Sequence, residues 1–188
     1  MNHMEFMGVP FEGTAKTFFS KIKSSAKIYS VEKESDEEVN CQLSFTGKWA
    51  SVKIYGNPVR LVSVELHYGY GIKDPTVEEW KQMVDDYYDY KAALSKKYGS
   101  PSISRQVTTY NGDVIDNRKN LTFDELSWGA GRPHCYSCYK TKTGDITLST
   151  IIRDVIYRDD FNGLQINYWD TYNKEHPFKP EDNRFNDL

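Results

Sequence analysis

Hydrophobic and polar residues alternate along several segments of this chain. In residues 49–55, WASVKIY, every second side chain is aliphatic, and a similar alternation runs through residues 59–70 and 164–172. A period of two is typical of a strand with one buried and one exposed face. Gly47, between two such segments, permits the backbone of a tight turn. The pattern predicts strands joined by hairpins, and residues 5–10, EFMGVP, read as a short first strand.

Two other segments carry apolar residues at helical spacing. A short helix is predicted after Thr14, a suitable N-cap, with its apolar positions ending at Ile22. A longer helix of roughly 20 residues is predicted after Thr76, where Glu79 completes a capping box. Gly99 suits the position that follows its last turn.

The long helix also carries the acidic run DDYYDY. Asp85, Asp86 and Asp89 fall largely off the apolar stripe of this helix. Charged residues on such a face are typical of a helix surface in contact with water. We therefore predict that all three carboxylates are solvated.

These elements predict an α+β fold: antiparallel β-sheet, in one or two sheets, with one short and one long helix packed on one side. Residues 1–172 are predicted to form a single domain, and residues 173–188 a polar C-terminal tail, loosely held unless Phe178 or Phe185 docks. In each half of the domain a helix is followed by a series of strands, and each series contains a hairpin marked by Thr-Gly. Two helix-plus-meander repeats, residues 1–72 and 73–172, are therefore a further hypothesis.

Composition narrows the function classes. The chain has 188 residues, of which 38% are hydrophobic and 14% aromatic, enough apolar surface for a core. Its formal net charge of -3 gives no electrostatic support to nucleic-acid binding. No apolar run approaches the ~18–20 residues of a membrane span. The N-terminus lacks a signal-peptide pattern, so we expect a cytoplasmic protein as given, or a periplasmic or secreted one if a signal peptide has been removed.

A histidine and two cysteines in HCYSCYK raise the question of a metal or redox site. The segment continues into an alternating stretch, so we predict that it is a strand. Residues three apart in a strand point to opposite faces, which places Cys135 with Ser137 and Tyr139, and Cys138 on the other face. Such a pair does not bind one metal ion, and we predict no metal, no cofactor and buried structural cysteines.

The alternation places a set of aromatic residues on the sheet face away from the helices. Among polar neighbours, this face is predicted to carry Trp49, Tyr55, His67 and Trp169. Aromatic side chains on a polar surface are suited to recognising a protein partner or a sugar. The alternative is that they stack across neighbouring strands, or lie under a loop or a subunit interface.

Several motifs together resemble a known family. Met7 to Pro10, the Gly13-Thr14 helix start and the helix ending Lys97 to Pro101 are similar to those of a family of small uncharacterised α+β proteins from gut Bacteroidetes. The resemblance covers most of residues 6–172. It implies an α+β fold and a bacterial source, and it implies no catalytic residues.

These observations favour a non-enzymatic binding or interaction module that acts through the polar-aromatic sheet face, with a protein or carbohydrate as its ligand. No catalytic residues are predicted, because the four histidines have no recognisable partner pattern. One alternative is a small hydrolase-like enzyme whose site is not readable from sequence. The other is a structural subunit that self-associates through this face, which would make the protein a homodimer.

Overall fold

The structure of the protein is a computed structural model that describes residues 3–68, 76–110, 113–115, 134–151 and 163–176. Within these ranges, the side chains of residues 77, 80, 106–110, 113–115 and 134 are not described. In the described part of the chain, no helix is both long and apolar enough to cross a membrane.

The described residues form eleven strands and three helices in chain order. The strands are β1 Glu5–Phe6, β2 Val9–Pro10, β3 Ile28–Glu34, β4 Glu38–Phe45, β5 Lys48–Tyr55, β6 Leu61–His67, β7 Ile103–Tyr110, β8 Asp113–Ile115, β9 His134–Lys140, β10 Gly144–Ile151 and β11 Gly163–Asp170. The helices are α1 Ala15–Lys23, α2 Val77–Tyr98 and α3 Thr171–Glu175.

Nine strands form one antiparallel sheet in the order β3-β4-β5-β6-β11-β10-β9-β7-β8. The short β8 pairs only with the last residues of β7, and β1 and β2 form a separate two-stranded ribbon. The short helix α1 and the long helix α2 pack on one side of the sheet. The predicted α+β fold, with one short and one long helix on one side of an antiparallel sheet, is confirmed.

Apart from the short β8 at one end, the strand order is symmetric about the β6–β11 boundary. β3 to β6 follow α1, β7 and β9 to β11 follow α2, and the last strand of each set pairs with the other at the β6–β11 boundary. This order is the one that two helix-plus-meander units would give. The proposal that residues 1–72 and 73–172 are repeats stays a prediction.

The core lies between the helices and one face of the sheet. Across the central strands, Val52, Val64, Ile166 and Leu148 are register neighbours, and all four are buried. Phe18, Phe19 and Ile22 of α1 and Met83, Tyr87 and Leu94 of α2 complete this core. Alternation along each strand therefore determines which face is buried, as the sequence predicts.

Helix α2 contacts both halves of the sheet through two rows of side chains spaced four residues apart. In one row, Asp86 accepts a hydrogen bond from Lys48 of β5, and the Tyr90 hydroxyl lies 2.6 Å from Thr46 Oγ1. In the other, the Tyr87 hydroxyl lies 2.6 Å from Ser137 Oγ of β9. The first row docks α2 on the β4–β5 hairpin, and the second row docks it on β9.

The structure corrects the interpretation of the acidic run. Asp85 and Asp89 are exposed as predicted, but Asp86 is only 5% exposed and the prediction that it is solvated is wrong. Its carboxylate accepts hydrogen bonds from Lys48, Tyr68 and Gln82. A carboxylate can be buried at this position because these donors replace the water that it loses.

Two chain segments differ from their predicted elements. EFMGVP forms the ribbon β1–β2 rather than one strand, because Met7 and Gly8 have positive φ angles of 53° and 78° and turn the chain back. The last strand ends at Asp170 instead of residue 172, because the Asp170 side chain caps α3 by accepting from Asn173 N at 3.0 Å.

Buried polar groups join the two ends of the described chain. Asp170 also accepts from Met4 N at 2.8 Å, and its Oδ2 lies 3.0 Å from His3 Nδ1. Asn173, only 3% exposed, donates to the carbonyls of Phe11 and Val59. The first residues assigned to the polar tail are therefore packed in helix α3, and Phe178 and Phe185 lie outside the described residues.

Candidate functional site

The sheet face opposite α1 and α2 is the candidate site, and we call it the open face. Trp49, Tyr55, His67 and Trp169 all lie on it, because each alternates along its strand with the buried core residues. The structure thus brings the four predicted residues to one face. It separates them into two groups at opposite ends of the central strands.

The first group is formed by Trp49 and His67, whose ring centroids lie 5.6 Å apart in an edge-on arrangement. The second group is formed by Tyr55, Leu61 and Trp169, since Leu61 is the register neighbour of both aromatic residues. Trp49 and Trp169 are each 44% exposed. We call these groups the Trp49 cluster and the Trp169 cluster.

The distance between the clusters follows from strand geometry. On β5, Trp49 and Tyr55 are six residues apart, which corresponds to about 20 Å at about 3.3 Å per residue. Two cross-strand rows of side chains lie between them. One row runs from Ser51 through Glu65 and Gln165 to Ser149, and the other from Lys53 through Ser63 and Asn167 to Thr147.

Polar contacts hold these rows together. Glu65, only 6% exposed, accepts from Lys53 Nζ at 3.2 Å and from Gln165 Nε2 at 3.4 Å. Asn167 Nδ2 donates to Gln165 Oε1 at 3.2 Å and to Thr147 Oγ1 at 3.4 Å. The centre of the open face is therefore an ordered polar strip, because its side chains fix one another across four strands.

A cleft of about 260 Å³ opens beside the Trp49 cluster. Its polar lining comes from β3 to β6 and comprises Glu32, Asn40, Ser51, Lys53, Glu65 and His67. The carboxylate of Glu65 lies 4.0 Å from His67 Nε2. The cleft thus presents acidic, basic and neutral hydrogen-bonding groups together, next to an exposed indole ring.

Two buried polar atoms of the open face have no hydrogen-bond partner among the described residues. They are Ser63 Oγ in the polar strip and Asn40 Oδ1 in the cleft. A buried polar atom without a partner is costly, and ligands or water usually satisfy such atoms. Both atoms lie within the part of the surface that the two aromatic clusters flank.

Burial shifts the protonation of two groups in the cleft. Burial lowers the pKa of His67, although the nearby Glu65 carboxylate acts in the opposite direction, so the imidazole is neutral at pH 7. Burial also acts to lower the pKa of Lys53, but the Coulombic attraction and hydrogen bond of Glu65 outweigh it and raise that pKa overall. Lys53 therefore stays a cation and neutralises Glu65.

The cysteines follow the predicted strand geometry. His134–Lys140 forms the strand β9, in which Cys135 is a neighbour of Ser137 on the core face while Cys138 pairs with Thr147 of the open face. Both cysteines are buried, and so is Cys41. Burial raises the pKa of the Cys41 thiol to about 12, which leaves it protonated at pH 7. Within the described ranges, no three His, Cys, Asp or Glu residues are grouped so as to hold a metal ion.

Sequence reasoning missed two contributors to this surface. Leu61 is two residues from Ser63 and so lies on the same open face, but its apolar character gives no sign of its place beside Trp169. Asn40 alternates with Cys41 in β4, which also assigns it to this face. Period-two alternation could have identified both residues, whereas the cleft depends on cross-strand register that one sequence does not give.

Comparisons of the chain with protein-family models, curated proteins and solved structures give no match. The resemblance to a Bacteroidetes family is untested by them and stays a prediction. The functional argument therefore depends on the geometry of the open face.

Proposed function

We propose that this protein is a non-enzymatic binding module that recognises a protein partner through the open face. The observation that carries the proposal is the pair of half-exposed tryptophans, Trp49 and Trp169, at opposite ends of an ordered polar strip. Tryptophan and tyrosine are enriched among the residues that dominate binding energy at protein interfaces. Single exposed aromatic residues need no explanation, but two clusters framing one strip fit a recognition surface.

The size of the surface favours a protein over a small molecule. The clusters are about 20 Å apart, whereas an interface of standard size buries about 800 Å² per partner, a disc roughly 30 Å across. Both clusters fit within one such interface. The polar strip would then supply hydrogen bonds at its centre, including those that Ser63 and Asn40 lack among the described residues.

The cleft offers less support to catalysis. Glu65 is neutralised by Lys53, and the buried Cys41 thiol does not supply a thiolate at neutral pH. A hydrolytic site needs a nucleophile together with a base within hydrogen-bond distance. Neutral His67 could act as a base, so the enzyme alternative is kept as an outcome of the experiment.

The proposal can be tested by quantitative affinity capture with immobilised wild-type protein and the double variant Trp49→Ala/Trp169→Ala. Tyr29→Ala is the control, because Tyr29 is an aromatic residue of comparable exposure, 45%, on edge strand β3 and outside both clusters. We expect a protein that is retained by the wild type and by the control and is lost from the double variant. With that partner purified, each tryptophan substitution should weaken binding about 30-fold, the effect of about 2 kcal/mol.

Other outcomes assign the face differently. Equal retention by all three proteins contradicts the proposal. Retention of an oligosaccharide in place of a protein favours a carbohydrate ligand. A wild-type dimer in sedimentation equilibrium that dissociates on the double substitution favours self-association. Hydrolytic activity that His67→Gln abolishes favours the enzyme.

A further inference from the structure

A second concavity lies on the other side of the sheet, where the two halves of the molecule meet. This crevice has a volume of about 430 Å³, within the range of about 300–1,000 Å³ in which proteins bind small molecules. Its walls come from the β1–β2 ribbon, the end of β4, the last turns of α2 and β11. The apolar side chains that form them include Phe6, Phe45, Ala93, Leu94 and Ile166.

Aromatic contacts join the walls of the crevice. Phe45 stacks on Tyr90 with ring centroids 6.0 Å apart, and the same Phe45 lies 5.7 Å from Phe6. Beyond Tyr90, the last turns of α2 line the crevice, and so does the β1–β2 ribbon. The space between these turns and the ribbon is left unfilled by the described residues.

One polar group inside the crevice lacks a hydrogen bond. Tyr168 is only 8% exposed and lines the crevice, and its hydroxyl has no hydrogen-bond partner among the described residues. Burial raises the pKa of Tyr168, with smaller contributions from Tyr98 and Tyr90, so the phenol stays protonated and able to donate. Because this hydroxyl is not bonded to a described residue, it can donate to an oxygen atom of a ligand in the crevice.

The charges at the crevice balance each other. Glu5 and Lys97 are its two ionised lining residues. Neither forms an ion pair with a described residue, and Lys97 Nζ lies 5.1 Å from the ring centroid of Tyr98. One carboxylate and one ammonium group give no net attraction for an anion or a cation. The electrostatics of the rim therefore suit an uncharged ligand.

We propose that this crevice is a binding site for an uncharged, mainly apolar small molecule that carries a hydroxyl or carbonyl oxygen. The apolar body of the ligand packs against Phe6, Leu94 and Ile166. Its oxygen accepts a hydrogen bond from the Tyr168 hydroxyl. This site is on the opposite side of the sheet from the open face, so the test of either proposal is independent of the other.

The first test uses the uncharged fluorescent probe 1-N-phenylnaphthylamine with the full chain. We expect saturable binding of one probe per wild-type molecule. Ala93→Trp should fill the crevice and reduce the affinity at least tenfold. Ala92→Trp is the matched control, because Ala92 is the exposed neighbour on α2 that does not line the crevice, and it should bind like the wild type. Far-UV circular dichroism of both variants checks that they are folded.

The second test examines the hydrogen bond. In displacement of the probe from the wild type, 2-naphthol should bind roughly threefold to tenfold more tightly than naphthalene, as expected for one hydrogen bond. Tyr168→Phe removes only the hydroxyl and should abolish this difference while leaving naphthalene binding unchanged. If Tyr168 had only a structural role, Tyr168→Phe would weaken the binding of naphthalene and of 2-naphthol equally.

Three results would overturn the proposal. The first is the absence of saturable probe binding to the wild type. The second is equal binding by the Ala93→Trp and Ala92→Trp variants, which would place the probe elsewhere. The third is an equal affinity for naphthalene and 2-naphthol in the wild type. A wild-type dimer that Ala93→Trp dissociates, without probe binding, would assign the crevice to a second copy of the chain.

Discussion

Asp86 allows a quantitative test of how α2 is held on the sheet. The substitution Asp86→Ala removes a carboxylate that accepts from Tyr68, Gln82 and Lys48. Loss of the hydrogen bonds from the two neutral donors, Tyr68 and Gln82, should each lower the free energy of unfolding by about 1 kcal/mol. The side chain of Lys48 is 43% exposed and can be solvated again, so its pair contributes about 1 kcal/mol rather than the value for a fully buried pair. Alanine regains about 0.5 kcal/mol of helix propensity, and the net loss should be about 2.5 kcal/mol.

The neighbouring Asp85 provides the matched control. It lies on the same helix, is exposed, and gains the same helix propensity on substitution by alanine. We therefore expect Asp85→Ala to leave the free energy of unfolding unchanged or to raise it by about 0.5 kcal/mol. The two variants should differ by about 3 kcal/mol.

Urea-induced unfolding, followed by tryptophan fluorescence and circular dichroism, measures this difference. The dependence of the free energy on urea should be the same in both variants, because neither changes the surface exposed on unfolding. Free energies of unfolding that agree within about 0.5 kcal/mol between the two variants would refute the argument that Asp86 is a buried attachment point.

The remaining predictions concern the open face, the β10–β11 contact and the C-terminal helix. Burial lowers the pKa of His67 in the folded state, so the unfolded chain binds more protons below pH 6.5, and the free energy of unfolding falls as the pH is reduced. His67→Gln should remove this part of the decrease between pH 7.5 and pH 5, and a constant difference between the two proteins over that range would contradict it. Gly144→Ala places a Cβ atom 1.9 Å from the Trp169 carbonyl oxygen and should cost about 2 kcal/mol or more in urea unfolding, whereas the exposed Lys142→Ala should cost almost nothing. Asn173→Ala leaves the buried carbonyls of Phe11 and Val59 without their donor and should lower the free energy of unfolding by about 2–3 kcal/mol. Lys174→Ala on the same helix is its control, and similar losses for the two variants would be evidence against this role of Asn173.

Local patterns in the sequence predict most of the fold. Thr76 and Glu79 form the predicted capping box, and Gly99 is the residue that ends α2. These features depend on neighbours within four residues, which the sequence displays directly. Alternation does not predict the ribbon β1–β2, because two-residue strands are too short to show a period. Gly8, in the turn between the two strands, is the local sign of this ribbon in the sequence.

Features that depend on distant partners could not be predicted. Asp86 looks like a surface residue on a helical wheel, and its donors Lys48 and Tyr68 lie 38 and 18 residues away. Gly144 follows a threonine as Gly47 does, but only Gly47 has a positive φ angle, of 84°. Gly144 is needed because β11 passes too close for a side chain, and that approach appears only in three dimensions.

In the candidate site, too, local features could be predicted and features that depend on distant partners could not. Alternation alone assigns Trp49, Tyr55, His67 and Trp169 to one face, and the structure places them there. The register between strands separates them into two clusters and puts the Glu65 carboxylate within reach of Lys53 and Gln165. Register is a property of pairs of strands, so the strip and its cleft were outside what one sequence predicts.

The pairing of β6 with β11 has a consequence for the chain as it leaves the ribosome. β6 is the inner edge of the first half, and its only other neighbour in the sheet is β5. Its partner β11 is the last strand of the described chain, so a nascent first half carries an apolar strand with unsatisfied backbone groups on one side until β11 has been synthesised. Such an edge is a template for pairing with other chains. The free side of β6 therefore stays unpaired within its own chain until β11 is available to cover it.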